Sequence, residues 1–170
     1  MIITEDNIKT IIDNIVFRGS NARICILYNN KPLTISTPLI ILPFGIDKIG
    51  NDYNFKISLK NIKTTPELIT FFKFIVNLEN KIKNTYKIND NLFCSQYKIN
   101  NGFDPLISIK IPQTKKQFNC IFNDTNGKPY NIFNIEKGTK AYVNILIDSI
   151  WRTNEKYSYK IKAKELTICV

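Results

Sequence analysis

Histidine is absent from the 170 residues. That removes the commonest general base, the usual nucleophile–imidazole pairs and any mixed Cys/His zinc site. The four cysteines, Cys25, Cys94, Cys120 and Cys169, are spread along the chain with no C-x-x-C, so an all-cysteine zinc site has the wrong spacing as well. Each lies in or beside an apolar run, which predicts buried, reduced thiols and a reducing, intracellular compartment. The six glycines are isolated turn residues. They form neither a P-loop nor a G-x-G-x-x-G fingerprint, so no nucleotide-phosphate cradle is in view. The 14 acids are scattered, with Glu5-Asp6 and Asp47/Asp52 among the closest sets. These gaps point away from an enzyme, a metal and a cofactor. No apolar run approaches the roughly 20 residues of a membrane span. The opening residues, MIITEDNIKT, have no basic-then-apolar signal pattern. The expectation is a soluble intracellular protein that does not enter a membrane.

What remains is globular and basic. Hydrophobic residues make up 44% and aromatic residues 12%, enough for one domain over residues 1–170 with a sizeable core. The net charge is +10, which attracts polyanions at long range, nucleic acid first among them. Only three of the cations are arginine (Arg18, Arg23, Arg152). The richness in Asn, Ile and Lys matches an AT-rich genome, so part of the charge reflects codon bias, and a plain lysine-rich surface is the competing reading.

Residues 4–17 mix signals. Ile8, Ile11, Ile12 and Ile15 have helical spacing behind a Thr4 cap, but they are β-branched and run into a turn at Arg18-Gly19-Ser20-Asn21, so a helical turn or coil and then a strand over about 13–18 is predicted. Strands follow over 22–28 and 33–42, the latter interrupted by Pro38. Tyr53, Phe55, Ile57 and Leu59 alternate with polar residues and make the clearest half-buried strand. One strong helix is predicted at about 66–84, with Thr65 as cap, Pro66 at its first position and Leu68, Phe71, Phe72, Ile75, Leu78 and Ile82 on one face. A long polar linker over 84–105 carries Phe93 and Tyr97. Strands are predicted at 107–111 and 117–122, and a short strand or loop at 130–135. The class is therefore mainly β with one main helix: an antiparallel, OB-fold-like β-barrel, in the order three strands, helix, two strands, with extra strands.

The densest chemistry closes the chain. Two long strand-like runs flank a polar turn, and the single tryptophan, Trp151, stands next to Arg152. Lys156, Lys160, Lys162 and Lys164 follow, with Tyr157 and Tyr159 between them. Cations and aromatics on paired strands suit phosphate neutralisation and base stacking. Trp151 and Arg152 could sandwich a base, or Trp151 could fill the barrel end. Strand parity puts Tyr157, Tyr159 and Ile161 on one face and Lys160, Lys162 and Lys164 on the other. The tyrosines are therefore either core or stackers at the barrel mouth. Leu166, Ile168 and Val170 hold the opposite parity to Ile161, so a β-bulge is predicted near Lys164-Glu165.

Several segments resemble the OB-fold single-stranded-DNA-binding proteins of large nucleocytoplasmic DNA viruses, relatives of the single-stranded-DNA-binding protein of short-tailed coliphages. They are Asn30-Lys31-Pro32-Leu33 leading to Thr37-Pro38, Pro43-Phe44-Gly45-Ile46, the strand and helix at 53–59 and 71–81, residues 107–112, and Lys137-Gly138-Thr139-Lys140 followed by Ile150-Trp151 and Lys156-Tyr157-Ser158-Tyr159-Lys160. The resemblance spans residues 13–170. It implies a non-catalytic protein that coats single-stranded DNA during viral replication, recombination or repair in the infected cell. Lysines would follow the phosphates, while Trp151, Tyr157, Tyr159, Phe93 and Tyr97 would stack bases. RNA in place of DNA, self-association, viral replication proteins as partners and packaging in the virion are its open extensions. The acidic, aromatic-ended tail of phage and bacterial relatives has no counterpart in Leu166-Thr167-Ile168-Cys169-Val170. The rival reading is a virion structural or assembly protein that uses the same barrel as a packing module.

Overall fold

A computed structural model describes all residues except Asn21, Lys116 and Glu155. The chain begins with α1 (Glu5–Asp13), β1 (Ile15–Gly19), β2 (Arg23–Tyr28), β3 (Lys31–Ser36), β4 (Ile40–Leu42), β5 (Ile46–Ile49) and β6 (Asp52–Ser58). Helix α2 (Pro66–Tyr86) leads to β7 (Phe93–Cys94), β8 (Tyr97–Lys98), β9 (Leu106–Ile111), β10 (Gln113–Thr114), β11 (Gln117–Phe118) and β12 (Ile121–Asp124). Two long strands, β13 (Thr139–Thr153) and β14 (Lys156–Ile168), complete it. The predicted strand–helix ambiguity of residues 4–17 resolves as α1 followed by β1. Residues 130–135 carry a 3-10 turn at Ile132–Asn134 instead of a strand.

Five strands close a barrel in the cyclic order β4, β6, β9, β14, β13. This is the OB-fold-like architecture expected, with two departures. Helix α2 follows the second barrel strand, not the third. The barrel is also not wholly antiparallel: β14 runs parallel to β9, β7 and β12. Parallel neighbours need long crossovers, and the chain supplies them through residues 112–155.

Strand β13 is the spine. One edge pairs with β14 along almost its whole length. The other edge takes β4 at Thr139–Ala141, β3 at Asn144–Ile147 and β2 at Ser149–Trp151 in succession. Two bulges let these strands bend. Ala163 pairs with Ile145 while Glu165 pairs with Asn144, leaving Lys164 as the extra residue. This is the predicted bulge, and it keeps both Ile161 and Leu166 buried. The second bulge sets Asp148 and Ser149 against Lys160 alone.

Helix α2 packs its apolar stripe into the core: Leu68, Phe71, Phe74, Ile75, Leu78 and Ile82 are buried. Removing one such phenylalanine ring would cost about 3–5 kcal/mol. Thr65 occupies the cap position but makes no side-chain capping bond, so Pro66, which needs no amide partner, sets the start. Lys81 does not serve its own helix terminus. Its Nζ donates to the carbonyls of Ile12 (2.6 Å) and Asp13 (2.9 Å), closing the C-terminal end of α1.

Candidate nucleic-acid interface

Strand alternation builds one polar face on the outside of the barrel. Phe55 and Ile57 of β6, Ile107 and Ile109 of β9, and Tyr159 and Ile161 of β14 point inward and are buried. Their neighbours Asn54, Lys56, Ser108, Lys110, Lys160 and Lys162 therefore point outward. Asn54, Ser108, Lys110 and Lys160 line a shallow groove of about 220 Å³ with Gln96 and Ile49. Lys110 is tied to Asp52 at 2.8 Å, whereas Lys160 is exposed and without an ion-pair partner among the described residues. Lys56 lies 5.5 Å over the ring of Phe44, which is 51% exposed. Gly45 makes that turn possible: at φ +69°, a Cβ there would meet the Ile135 carbonyl oxygen at 2.8 Å.

Trp151 joins this face from β13. It pairs with Ser158 of β14 on one side and Arg23 of β2 on the other. The expected Trp151–Arg152 sandwich does not form, because adjacent residues of a strand point to opposite faces. The partner of the indole is Arg23, whose guanidinium lies 5.1 Å over the ring. Arg23 Nε donates to Ser149 Oγ at 3.0 Å. Asp148 Oδ2 takes Lys162 Nζ at 2.9 Å and faces Arg23 at 3.9 Å, while its Oδ1 is buried without a hydrogen-bond partner among the described residues. Arg152 lies instead over Tyr157 at 5.5 Å, and Tyr157 stacks on Tyr86 at 6.5 Å.

Tyr159 is not a base stacker. It has no accessible surface, and its hydroxyl donates to Glu79 Oε1 at 2.7 Å. The same oxygen accepts from the Gln96 amide and the Ser95 hydroxyl, both at 3.0 Å. Burial raises the pKa of Glu79, with the three donors and Lys83 opposing it, and burial raises that of Tyr159 well above 10. Phe93 and Tyr97 are half-buried. Phe93 stacks on Tyr159 at 6.0 Å, and Tyr97 stands edge-on to Phe72 at 5.2 Å. The short strands β7 and β8, which carry the two aromatics, pair with β14 and β9, respectively. The predicted set thus divides. Trp151, Lys160, Lys162 and the bulge residue Lys164 share the outer face. Lys156, Arg152 and Tyr157 sit at the β13–β14 turn; Glu155, the one acid of that stretch, lies outside the described residues.

Sequence reasoning missed Arg23, Lys56, Lys110 and an aromatic cluster at one end of the barrel. Tyr53 meets Phe118 at 5.1 Å and Phe133 at 6.2 Å, and Lys48 lies 5.4 Å over Tyr53. With Asn51 and Gln113 they line a cavity of about 570 Å³. Tyr53 was legible only as one more residue of a half-buried strand, and nothing in the sequence links it to Phe118 or Phe133. The thiols also depart from the buried state expected: Cys94 is exposed, Cys25, Cys120 and Cys169 are half-buried, and burial pushes the Cys120 thiol up to about 12.

Barrel and inserted helix together define an OB-fold-like architecture that carries cations and an aromatic ring on one outer face. The chain superposes on gp2.5, a single-stranded DNA-binding protein encoded by bacteriophage T7, with a TM-score of 0.56 and 14% identity over 80% of this chain and 91% of that one. It is similar to the single-stranded DNA-binding protein of bacteriophage Enc34 without its C-terminus (TM-score 0.54, 10% identity, 92% and 94% covered). The Enc34 protein solved in complex with ssDNA gives a TM-score of 0.50 with 11% identity over 92% and 95% of the two chains. At these identities the likeness is one of fold. No family model and no curated protein matches the chain.

Proposed function

We propose that this chain is a non-catalytic, sequence-tolerant single-stranded-DNA-binding protein acting in replication, recombination or repair of viral DNA. One observation carries the reading. The second and third barrel strands, β6 and β9, and the turn between the fourth and fifth, β13 and β14, are where OB-folds bind oligonucleotides; here β6 and β9 bear Lys56 and Lys110, and the strands that lead into and out of that turn bear Trp151 and Lys160 on the same face. Lysines and Arg23 neutralise phosphates along the groove. Trp151, and the Tyr53–Phe133 cluster at the barrel end, offer rings to bases, each stacked base contributing about 1–3 kcal/mol. The solved neighbours, one of them holding ssDNA, support this reading, as does the resemblance to the proteins of large DNA viruses.

The test is titration of Trp151 fluorescence with oligo-dT at several salt concentrations. Quenching is expected, with log K falling against log salt at a slope of about −3 if about four phosphates are neutralised. Absence of both quenching and salt-dependent binding refutes the proposal. Oligo-dT and oligo-rU run in parallel decide between DNA and RNA.

A further inference from the structure

The chain carries an unfilled apolar cleft and an unpacked apolar loop side by side. The cleft, about 530 Å³, lies where the start of α1, the crossing from β3 to β4 and the first turns of α2 meet; Ile3, Pro38, Phe71 and Tyr142 form its walls. Its lining includes Glu5 and Glu67 and no Lys or Arg, in a chain with 24 cations to 14 acids. Glu5 is shared with Lys73 at 3.4 Å, whereas Glu67 is exposed and has no ion-pair partner among the described residues. The cleft is thus an acid-rimmed apolar spot on a basic protein, and it shares no residue with the lysine-lined groove of the outer face.

The loop joins β8 to β9. It exposes Ile99 (62%) and Phe103 (76%), the latter the most exposed aromatic side chain among the described residues. Lys98 and Lys63, both exposed, flank it. Ile99, Phe103 and Lys63 border one shallow depression together with Asn61 and Thr64. The next residues along the chain, Pro66, Glu67 and Thr70, border the cleft. Loop and cleft therefore sit on the two sides of residues 61–70.

We propose that the cleft receives the β8–β9 loop of a second copy of this chain, reciprocally, in a two-fold symmetric dimer. Apolar knob matches apolar cleft, and the lysines beside the knob match the glutamates at the rim. The adjacency of the two patches decides the symmetry. A two-fold axis passing close to residues 61–70 carries each loop to the other copy's cleft, so both contacts form at once and the assembly closes. Two contacts of this kind fall at the small end of interface sizes, below about 1,200 Å², so the dimer dissociates on dilution.

Sedimentation velocity of the full chain, without nucleic acid and across a wide concentration range, tests this. The wild type is expected to show a monomer–dimer equilibrium. Phe103→Asp and Glu67→Lys should each weaken it at least about tenfold, and Ile99→Asp provides an independent loop variant. All three side chains are exposed, and thermal melts verify that the variants fold. An equimolar mixture of Phe103→Asp with Glu67→Lys should associate better than either alone, because each heterodimer keeps one intact contact and sets an introduced Asp against an introduced Lys. A wild type that stays monomeric throughout, which would leave the cleft to a different protein, overturns the proposal. So does a dimer that any of the variants leaves intact, or a mixture no better than its components.

Discussion

The guanidinium of Arg23 lies 5.1 Å over the indole of Trp151, although 127 residues separate them in the chain; β2 and β13 pair at this point, with Trp151 opposite Arg23. The pair turns an isolated tryptophan into a cation-backed aromatic platform next to the lysine row. Trp151→Ala should therefore weaken oligo-dT binding by about 1–3 kcal/mol, the value of one stacked base. Arg23→Ala should weaken it and flatten its salt dependence, while Arg152→Ala, on the opposite face, should do less than either. Fluorescence anisotropy with labelled oligo-dT ranks the three, and an Arg152 effect larger than that of Arg23 contradicts the assignment.

Asp148 places a carboxylate within the cationic face, holding Lys162 at 2.9 Å and Arg23 at 3.9 Å. Asp148→Asn keeps the shape and removes the charge. Both cations then become available to phosphate, so binding should tighten at low salt and the log–log salt slope steepen by about 0.7 for each additional phosphate engaged. Lys160→Ala should shift the slope the other way by a similar amount. Titrations at four or more salt concentrations read both, and unchanged slopes would place the DNA elsewhere.

Tyr159 and Glu79 predict a stability effect without a binding effect. Tyr159→Phe removes a donor from a buried carboxylate and should destabilise the fold by about 1–3 kcal/mol. Oligo-dT affinity measured well below the melting temperature should not change. Chemical denaturation alongside binding separates the two, and a selective loss of affinity would restore Tyr159 as a DNA contact.

Glu79 also carries a pH signature. Burial raises its pKa above the ordinary 4.5, so the folded state holds the proton more tightly than the unfolded chain. The stability this contributes is full below about 4.5 and is lost as the pH rises through the folded value. Glu79→Gln keeps an oxygen for the three donors and removes the titration. The variant's Tm should gain on the wild type progressively as the pH is raised from 4 to 8; a constant difference across that range rejects the assignment.

Cys94 supplies a reporter. It is the one exposed thiol among four, the others being half-buried, and it pairs in register with Ser158, the residue opposite Trp151. A maleimide should label it first, and saturating oligo-dT should slow that labelling. Labelling at the same rate with and without DNA would mean that the bound strand avoids this part of the face.

Much of the fold was legible because it is written in local periodicity. The alternation at Tyr53, Phe55 and Ile57 and the stripe from Leu68 to Ile82 each report their own burial. The switch of parity between Ile161 and Leu166 required an inserted residue, and Lys164 is that residue. The departures have a different origin. The order of helix and barrel strands depends on which strands enter the barrel. That is set by pairing partners, and β3 reads like a barrel strand while lying outside the ring. Tyr159 and Tyr157 have the same parity and similar neighbours in sequence, yet one is sealed beneath Phe93 and Glu79 and the other sits at the turn.

The sequence by itself determined the class of protein: a basic, histidine-free, strand-rich chain with one amphipathic helix and a closing hairpin in which lysines alternate with inward-facing residues. These properties are sums over composition and short-range spacing, and they survive whatever partners the strands choose. Tertiary structure alone decided which side chains share a surface. It exchanged Arg152 for Arg23 beside Trp151, withdrew Tyr159 into the core, and assembled Tyr53, Phe118 and Phe133 around one cavity. Such pairings depend on strand register and barrel closure, which bring together residues tens to more than a hundred positions apart, and no local pattern encodes that distance.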